Sequence, residues 1–159
     1  MTNLILDTTY VLPLFGFDVN GINLTKPKIL KLWDEGIGDY QIYLPTVCLL
    51  ESLYRINMEI RKKMDESILK RYEITLPTII SSKKVKLFSS LTDIKVAEYA
   101  LSIRQLGHQD LMDCLIAATA YALNGILVSE DDVLKRILEN DMARKIPVVP
   151  LDKILRDIS

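Results

Sequence analysis

Four acidic side chains stand where an acid is costly. Asp7 ends the apolar run Leu4-Ile5-Leu6, and Glu51 interrupts Val47-Cys48-Leu49-Leu50 and Leu53-Tyr54. Asp113 opens the almost wholly apolar stretch from Cys114 to Ala122, and Asp131 belongs to Ser129-Glu130-Asp131-Asp132, directly after Ile126-Leu127-Val128. A charge beside buried apolar surface is unfavourable unless it is paired or ligates a metal. If the four converge they repel one another, and without a cation at least one pKa must rise. A hard divalent ion with oxygen ligands, Mg²⁺ or Mn²⁺, relieves that repulsion and keeps several waters for chemistry. Such a centre suits phosphodiester hydrolysis, because it lowers the pKa of a bound water and stabilises charge on the phosphorane and the leaving oxygen.

Each acid also has a plainer reading. Asp7 suits the N-cap of a following helix. Asp131 and Asp132 suit a first helical turn, where they complement the dipole. Asp110, three residues ahead of Asp113, fits a capping role best. Glu51 faces Arg55 one helical turn on, at ion-pair spacing. Convergence of the four on one place separates the two accounts, and convergence depends on the elements that carry them.

Leu4–Leu6, Gln41–Leu44, Lys84–Leu87, Ile126–Val128 and Val148–Val149 are short apolar runs bounded by polar residues, the pattern of strands. Between them lie helical stretches: Thr46 to Met58 after a proline, a long amphipathic helix from Met58 to Ile80, Thr92 to Gln105, Asp110 to Leu123 ending at Asn124-Gly125, and Glu130 to Asn140. A short helix carries Trp33, and Gly16 to Lys28 reads as an irregular connection. Strands alternating with helices argue for an α/β fold with a parallel sheet, because each parallel crossover needs a connection long enough to be a helix. In such sheets chemistry gathers beyond the carboxyl ends of the strands. Asp7 and the Ser129–Asp132 group therefore open onto one edge.

The chain has 159 residues, 49% hydrophobic and 26% charged, which fits one domain over residues 1–159. With 20 basic and 21 acidic residues the net charge is −1, so no global field marks a nucleic-acid or membrane-surface binder, and any polyanion must be held by a local patch. No basic segment precedes a long apolar run at the N-terminus, and no stretch reaches the roughly 18 to 20 apolar residues of a membrane span. A cytoplasmic protein is expected, with Cys48 and Cys114 as reduced core thiols.

The segments ILDTT, PTVCLLESLYRI, DLMDCLIAATAYALNGILVSED and VVPLD occur in this order over nearly the whole chain and resemble the PIN-domain nucleases, especially the small single-domain toxins of the VapC type. The third segment is the most specific, a long composite of aspartate, alanine-rich helix, glycine, apolar strand and hydroxyl-x-Asp. The resemblance implies a three-layer α/β/α sandwich with a parallel sheet of about five strands. It also implies Mg²⁺- or Mn²⁺-dependent endoribonuclease activity, cleavage that leaves a 3′-hydroxyl, and frequent homodimers. It puts the metal-binding and catalytic acids at Asp7, Glu51, Asp113 and Asp131. Ser129 takes a place usually held by threonine and orients the metal-bound water or the fourth acid. Thr9 matches a small hydroxyl residue that supports the site, whereas Thr8 reads as local turn chemistry. Glu130 stands where the family has a basic or neutral residue, and Asp132 adds a further charge.

Arg55, one turn after Glu51, is the best phosphate contact. The basic runs Arg61-Lys62-Lys63, Lys70-Arg71 and Lys83-Lys84 with Lys86 are interleaved with Glu59, Asp65, Glu66 and Glu73 and read as a solvated face before they read as an RNA surface. His108, the only histidine, reads as an exposed loop residue. Tyr40, Tyr43 and Tyr54 read as core or interface rather than base-stacking platforms. The expected partners are single-stranded or structured RNA and, for a toxin, an antitoxin protein that shields the acidic site. Rival readings are a catalytically inactive PIN-like module for RNA binding or assembly, an RNA-processing nuclease that is not a toxin, and an aspartate-based phosphatase. The last usually wants a second aspartate two residues after the first, where this chain has Thr9.

Overall fold

The computed structural model describes residues 1–21 and 25–156; residues 22–24 of the expected irregular connection lie outside the described residues. Five strands form one sheet: β1 Asn3–Leu6, β2 Gln41–Pro45, β3 Val85–Phe88, β4 Ile126–Val128 and β5 Val148–Val149. Every pairing is parallel, in the order β3-β2-β1-β4-β5. Leu4, Ile5 and Leu6 of β1 are all fully buried. Successive strand residues point to opposite faces, so both faces of the sheet centre are covered, and the strand reads as a continuous apolar run. Helices on both faces supply that cover, giving the expected three-layer α/β/α arrangement. The outer strand β3 exposes Lys86 and Leu87, as befits an edge.

The helices are α1 Lys26–Glu35, α2 Val47–Lys63, α3 Lys70–Ser81, α4 Ile94–Gln105, α5 Leu111–Ala122, α6 Asp132–Asn140 and α7 Leu151–Arg156. Helix α5 carries Cys114, Ile116, Ala117, Ala118 and Ala120, all buried; an element apolar nearly all round belongs inside. Both cysteines are free and buried, as expected. Gly125, between α5 and β4, is held by close approach: a Cβ there would stand 2.4 Å from Ile5 Cδ1 and 2.8 Å from the Asn3 carbonyl oxygen. Among the described residues no helix is long and apolar enough to cross a membrane.

The expected single helix from Met58 to Ile80 is two. Helix α2 runs through to Lys63 and stops at Met64, which adopts a left-handed conformation (φ 52°). Asp65 then turns extended, and its side chain accepts a hydrogen bond from Ser67 N at 2.9 Å, starting a short 3₁₀ turn before α3. Local side-chain capping thus overrides a stretch whose periodicity is helical throughout. The basic residues there are on a solvated face, where Lys63 pairs with Glu59 at 2.6 Å.

Candidate active site

With β1 in the middle, the chain leaves toward β2 on one side and toward β4 on the other. The crevice at such a reversal of strand order lies beyond the carboxyl ends of β1 and β4. Asp7 follows β1 there, and its backbone N–H extends the ladder to the Val128 carbonyl at 3.1 Å. Its carboxylate does not cap the 3₁₀ turn that begins at Thr8. Instead Oδ2 accepts a hydrogen bond from Ser129 Oγ at 2.7 Å. Ser129 is buried at the end of β4 and also accepts from Asp131 N at 3.1 Å, so one hydroxyl ties the two strand ends together.

The other three acids arrive on helix N-terminal turns. Glu51 sits early in α2 and accepts a hydrogen bond from the buried Thr8 hydroxyl. Asp113 lies in the first turn of α5, behind Asp110, whose carboxylate caps the helix through Met112 N at 2.8 Å. Asp131 is the N-cap of α6: one oxygen accepts from Val133 N at 2.8 Å and Leu134 N at 2.9 Å. These placements bring Asp7, Glu51, Asp113 and Asp131 to one cleft of about 480 Å³, lined also by Thr8, Thr9, Arg55 and Glu130. Arg55 is the single cationic side chain among the described lining residues. It makes no close ion pair with Glu51, but its charge still favours the ionised Glu51 carboxylate.

The electrostatics follow from the crowding. Burial pushes the Asp7 carboxyl from its ordinary 3.8 up to about 7; the negative charges of Asp113 and Glu51 add to the rise, and the Ser129 hydrogen bond opposes it. Glu51 is raised chiefly by burial, with Asp113 adding and the Thr8 hydrogen bond opposing. Burial also raises Asp113, against the hydrogen bond from His108. Three carboxyls in one cleft are thus held above their usual range, chiefly by burial and in addition by one another's charge. An all-oxygen donor set of this kind fits a hard divalent cation.

Two residues have placements other than those expected. His108 is not exposed: it is 6% accessible, with Nε2 3.0 Å from Asp113 Oδ2. One donor-capable atom from each of His108, Asp113 and Asp131 lies within 4.8 Å of the other two, a tighter group that does not include Asp7 or Glu51. Thr8, read as turn chemistry, holds Glu51, while Thr9 lines the cleft. Tyr10 was missed altogether. Its hydroxyl donates to Glu130 Oε1 at 2.6 Å and accepts from Leu151 N at 3.2 Å, fixing the added carboxylate and the start of α7. The local sequence carries a faint signal for Thr8, a hydroxyl beside the first acid, and none for the other two contacts.

The sequence matches the family model of the PIN domain over residues 4–140. Comparison with curated proteins finds no match. Among solved structures, VapBC2 from Rickettsia felis, crystallised with a DNA fragment from its promoter, is similar with a TM-score of 0.60 at 19% identity, covering 93% of this chain and 98% of that one. A toxin–antitoxin complex from Klebsiella pneumoniae has a TM-score of 0.51 at 20% identity, over 93% of this chain and 96% of that one. Likeness at this level of identity is likeness of fold.

Proposed function

The chain belongs to the PIN-domain family, and from that premise we propose that it is a Mg²⁺- or Mn²⁺-dependent endoribonuclease acting through Asp7, Glu51, Asp113 and Asp131. The observation that carries this reading is the cleft itself, lined by these four acids from four separate elements and by Glu130, with a single guanidinium among the described lining residues. The four carboxylates would hold the cation, which would supply relief of their repulsion, a lowered pKa for a bound water and charge stabilisation at the phosphate.

The chain's own residues prepare that site. Ser129 orients Asp7, and Thr8 orients Glu51, each through a hydroxyl donated to a carboxylate. Ordering the acids before substrate arrives removes the cost of arranging them during reaction. Arg55, exposed on α2 one turn after Glu51, contacts a phosphate of single-stranded or structured RNA, and Thr9, which lines the cleft, completes the substrate side, while the buried Ser129 acts through the acids it holds.

The protein works in the cytoplasm as one domain over residues 1–159, as a homodimer, and as the toxin of a toxin–antitoxin pair. One similar structure is described as a toxin–antitoxin complex. The surface of α2 supports a protein partner beside the acids: Leu50, Tyr54 and Met58, spaced along one face, are 49%, 57% and 48% exposed. Apolar side chains contiguous in this way mark interaction surfaces. An RNA-processing role without an antitoxin uses the same chemistry.

The test is cleavage of labelled single-stranded RNA with Mn²⁺ and with EDTA, alongside Asp7→Asn and Asp113→Asn. Cleavage dependent on Mn²⁺ and lost in both variants is the expected result. Activity that survives EDTA, or is unchanged in the variants, defeats the proposal. Co-expression with the product of an adjacent small reading frame, relieving growth arrest, separates toxin from processing enzyme.

A further inference from the structure

His108 lies on the loop between α4 and α5, buried, with Nε2 3.0 Å from Asp113 Oδ2 and with Nδ1 buried and without a hydrogen-bond partner. The ring proton has two places to sit. On Nε2 it is donated to Asp113 and leaves a bare lone pair at Nδ1. On Nδ1 it becomes a buried donor with no acceptor, and the Nε2 lone pair is turned on a carboxylate oxygen. A buried donor left unmade carries its full desolvation cost, and the second arrangement adds lone-pair repulsion. The first is favoured.

The same reasoning bears on whether His108 is itself a ligand. An imidazole bound to a metal through Nε2 must carry its proton on Nδ1, and such rings regularly give that proton to a carboxylate, carbonyl or water. Here Nδ1 has no acceptor, which argues against ligation through Nε2. Nδ1 itself is fully buried, so its lone pair does not open onto solvent where a hydrated cation could reach it. We propose that His108 is a positioning residue for the metal site: its Nε2–H ties Oδ2 of Asp113 and fixes the carboxylate plane, leaving the other oxygen for the cation. This rests on the metal-dependent reading above. The assignment also accounts for the tight group of His108, Asp113 and Asp131 without making the ring a ligand.

Purified protein, His108→Gln and His108→Asn are titrated with Mn²⁺ in the absence of RNA, and free Mn²⁺ is read by electron paramagnetic resonance. A glutamine amide nitrogen reaches about where Nε2 stands, whereas asparagine reaches only the Nδ1 position. Loss of an outer hydrogen bond to a ligand typically weakens metal binding about 10- to 100-fold. His108→Asn is therefore expected to bind Mn²⁺ at least about 10-fold more weakly, and His108→Gln within a few-fold of the unaltered protein. The pulsed spectrum of the unaltered protein should show no directly bonded nitrogen. Equal binding by all three, equal loss in both variants, loss of the fold in both, or hyperfine coupling from a bonded imidazole overturns the assignment. If the unaltered protein binds and cleaves with Mn²⁺ while His108→Asn behaves identically, only this inference fails. If the unaltered protein binds no Mn²⁺, the metal-dependent reading fails as well.

Discussion

At the scale of single residues, Asp7 has the most strongly raised carboxyl of the cleft and should contribute most to the pH dependence of the metal-free protein. Its folded value of about 7 exceeds its ordinary 3.8, so between these values the folded chain keeps a proton that the unfolded chain has released. That contribution to stability is fully present below about 4 and is lost as pH rises through 7. Thermal melting in EDTA should therefore fall between about pH 5 and pH 8, by an amount on the order of a few kcal/mol in stability. Asp7→Asn should make the profile shallower, leaving the part due to Glu51 and Asp113, and Mn²⁺ should raise the melting temperature of the unaltered protein at pH 8. A flat profile in the unaltered protein would show that Asp7 is not buried as a proton-binding acid. Thr8→Val removes the donor to Glu51 and should cut cleavage about 10-fold, with a circular dichroism melt checking that the fold persists. The four acids were legible because each breaks an apolar run, which is a local signal. His108 and Tyr10 were not: the histidine's burial and the tyrosine's reach to Glu130, 120 positions away, arise only in the folded chain.

At the scale of elements, two positions serve the fold and the site together. Asp131 caps α6 through its carboxylate while lining the cleft. Asparagine caps a helix as well as aspartate does, whereas alanine does not cap. Asp131→Asn should keep the melting temperature and lose cleavage, and Asp131→Ala should lose cleavage and about 1 kcal/mol of stability. Denaturant titration alongside the RNA assay checks both; equal activity in the two variants and the unaltered protein would remove Asp131 from the site. Gly125→Ala tests how tightly β4 is set against β1. The added methyl meets the Asn3 backbone as well as the Ile5 side chain, and a backbone atom cannot swing aside. A loss of about 1 to 3 kcal/mol is expected, with weakened cleavage because Asp7 and Ser129 end these two strands. Five strands and the start of α5 were readable from apolar runs and an Asp cap. The break at Met64 was not, since methionine and lysine are good helix formers and only the Asp65–Ser67 cap marks the stop.

At the scale of the molecule, the middle strand carries three consecutive fully buried residues, Leu4, Ile5 and Leu6, as burial on two faces requires, and its place in the sheet puts Asp7 near the centre of the sheet edge. The full order β3-β2-β1-β4-β5 was not legible, because handed crossovers allow more than one order for five parallel strands. The net charge was legible, and it shapes how RNA must be held. At −1 overall, with 20 basic and 21 acidic residues, the chain has no long-range attraction for a polyanion. On the proposed reading, RNA binding would rest on a cation held by the four acids and on a few local contacts. Each phosphate neutralised on a single strand contributes about −0.7 to the slope of log affinity against log salt. With so few contacts the slope should be shallow, and Arg55→Gln should reduce its magnitude by about 0.7. Fluorescence anisotropy with Asp113→Asn as the background measures the slope without cleavage. An unchanged slope in the double variant would free Arg55 from phosphate and move the contact to the lysine-rich surface of α2 and α3. A reduction of this size would mean that the guanidinium beside the acids recognises the backbone, leaving that surface as the solvated face its interleaved acids describe.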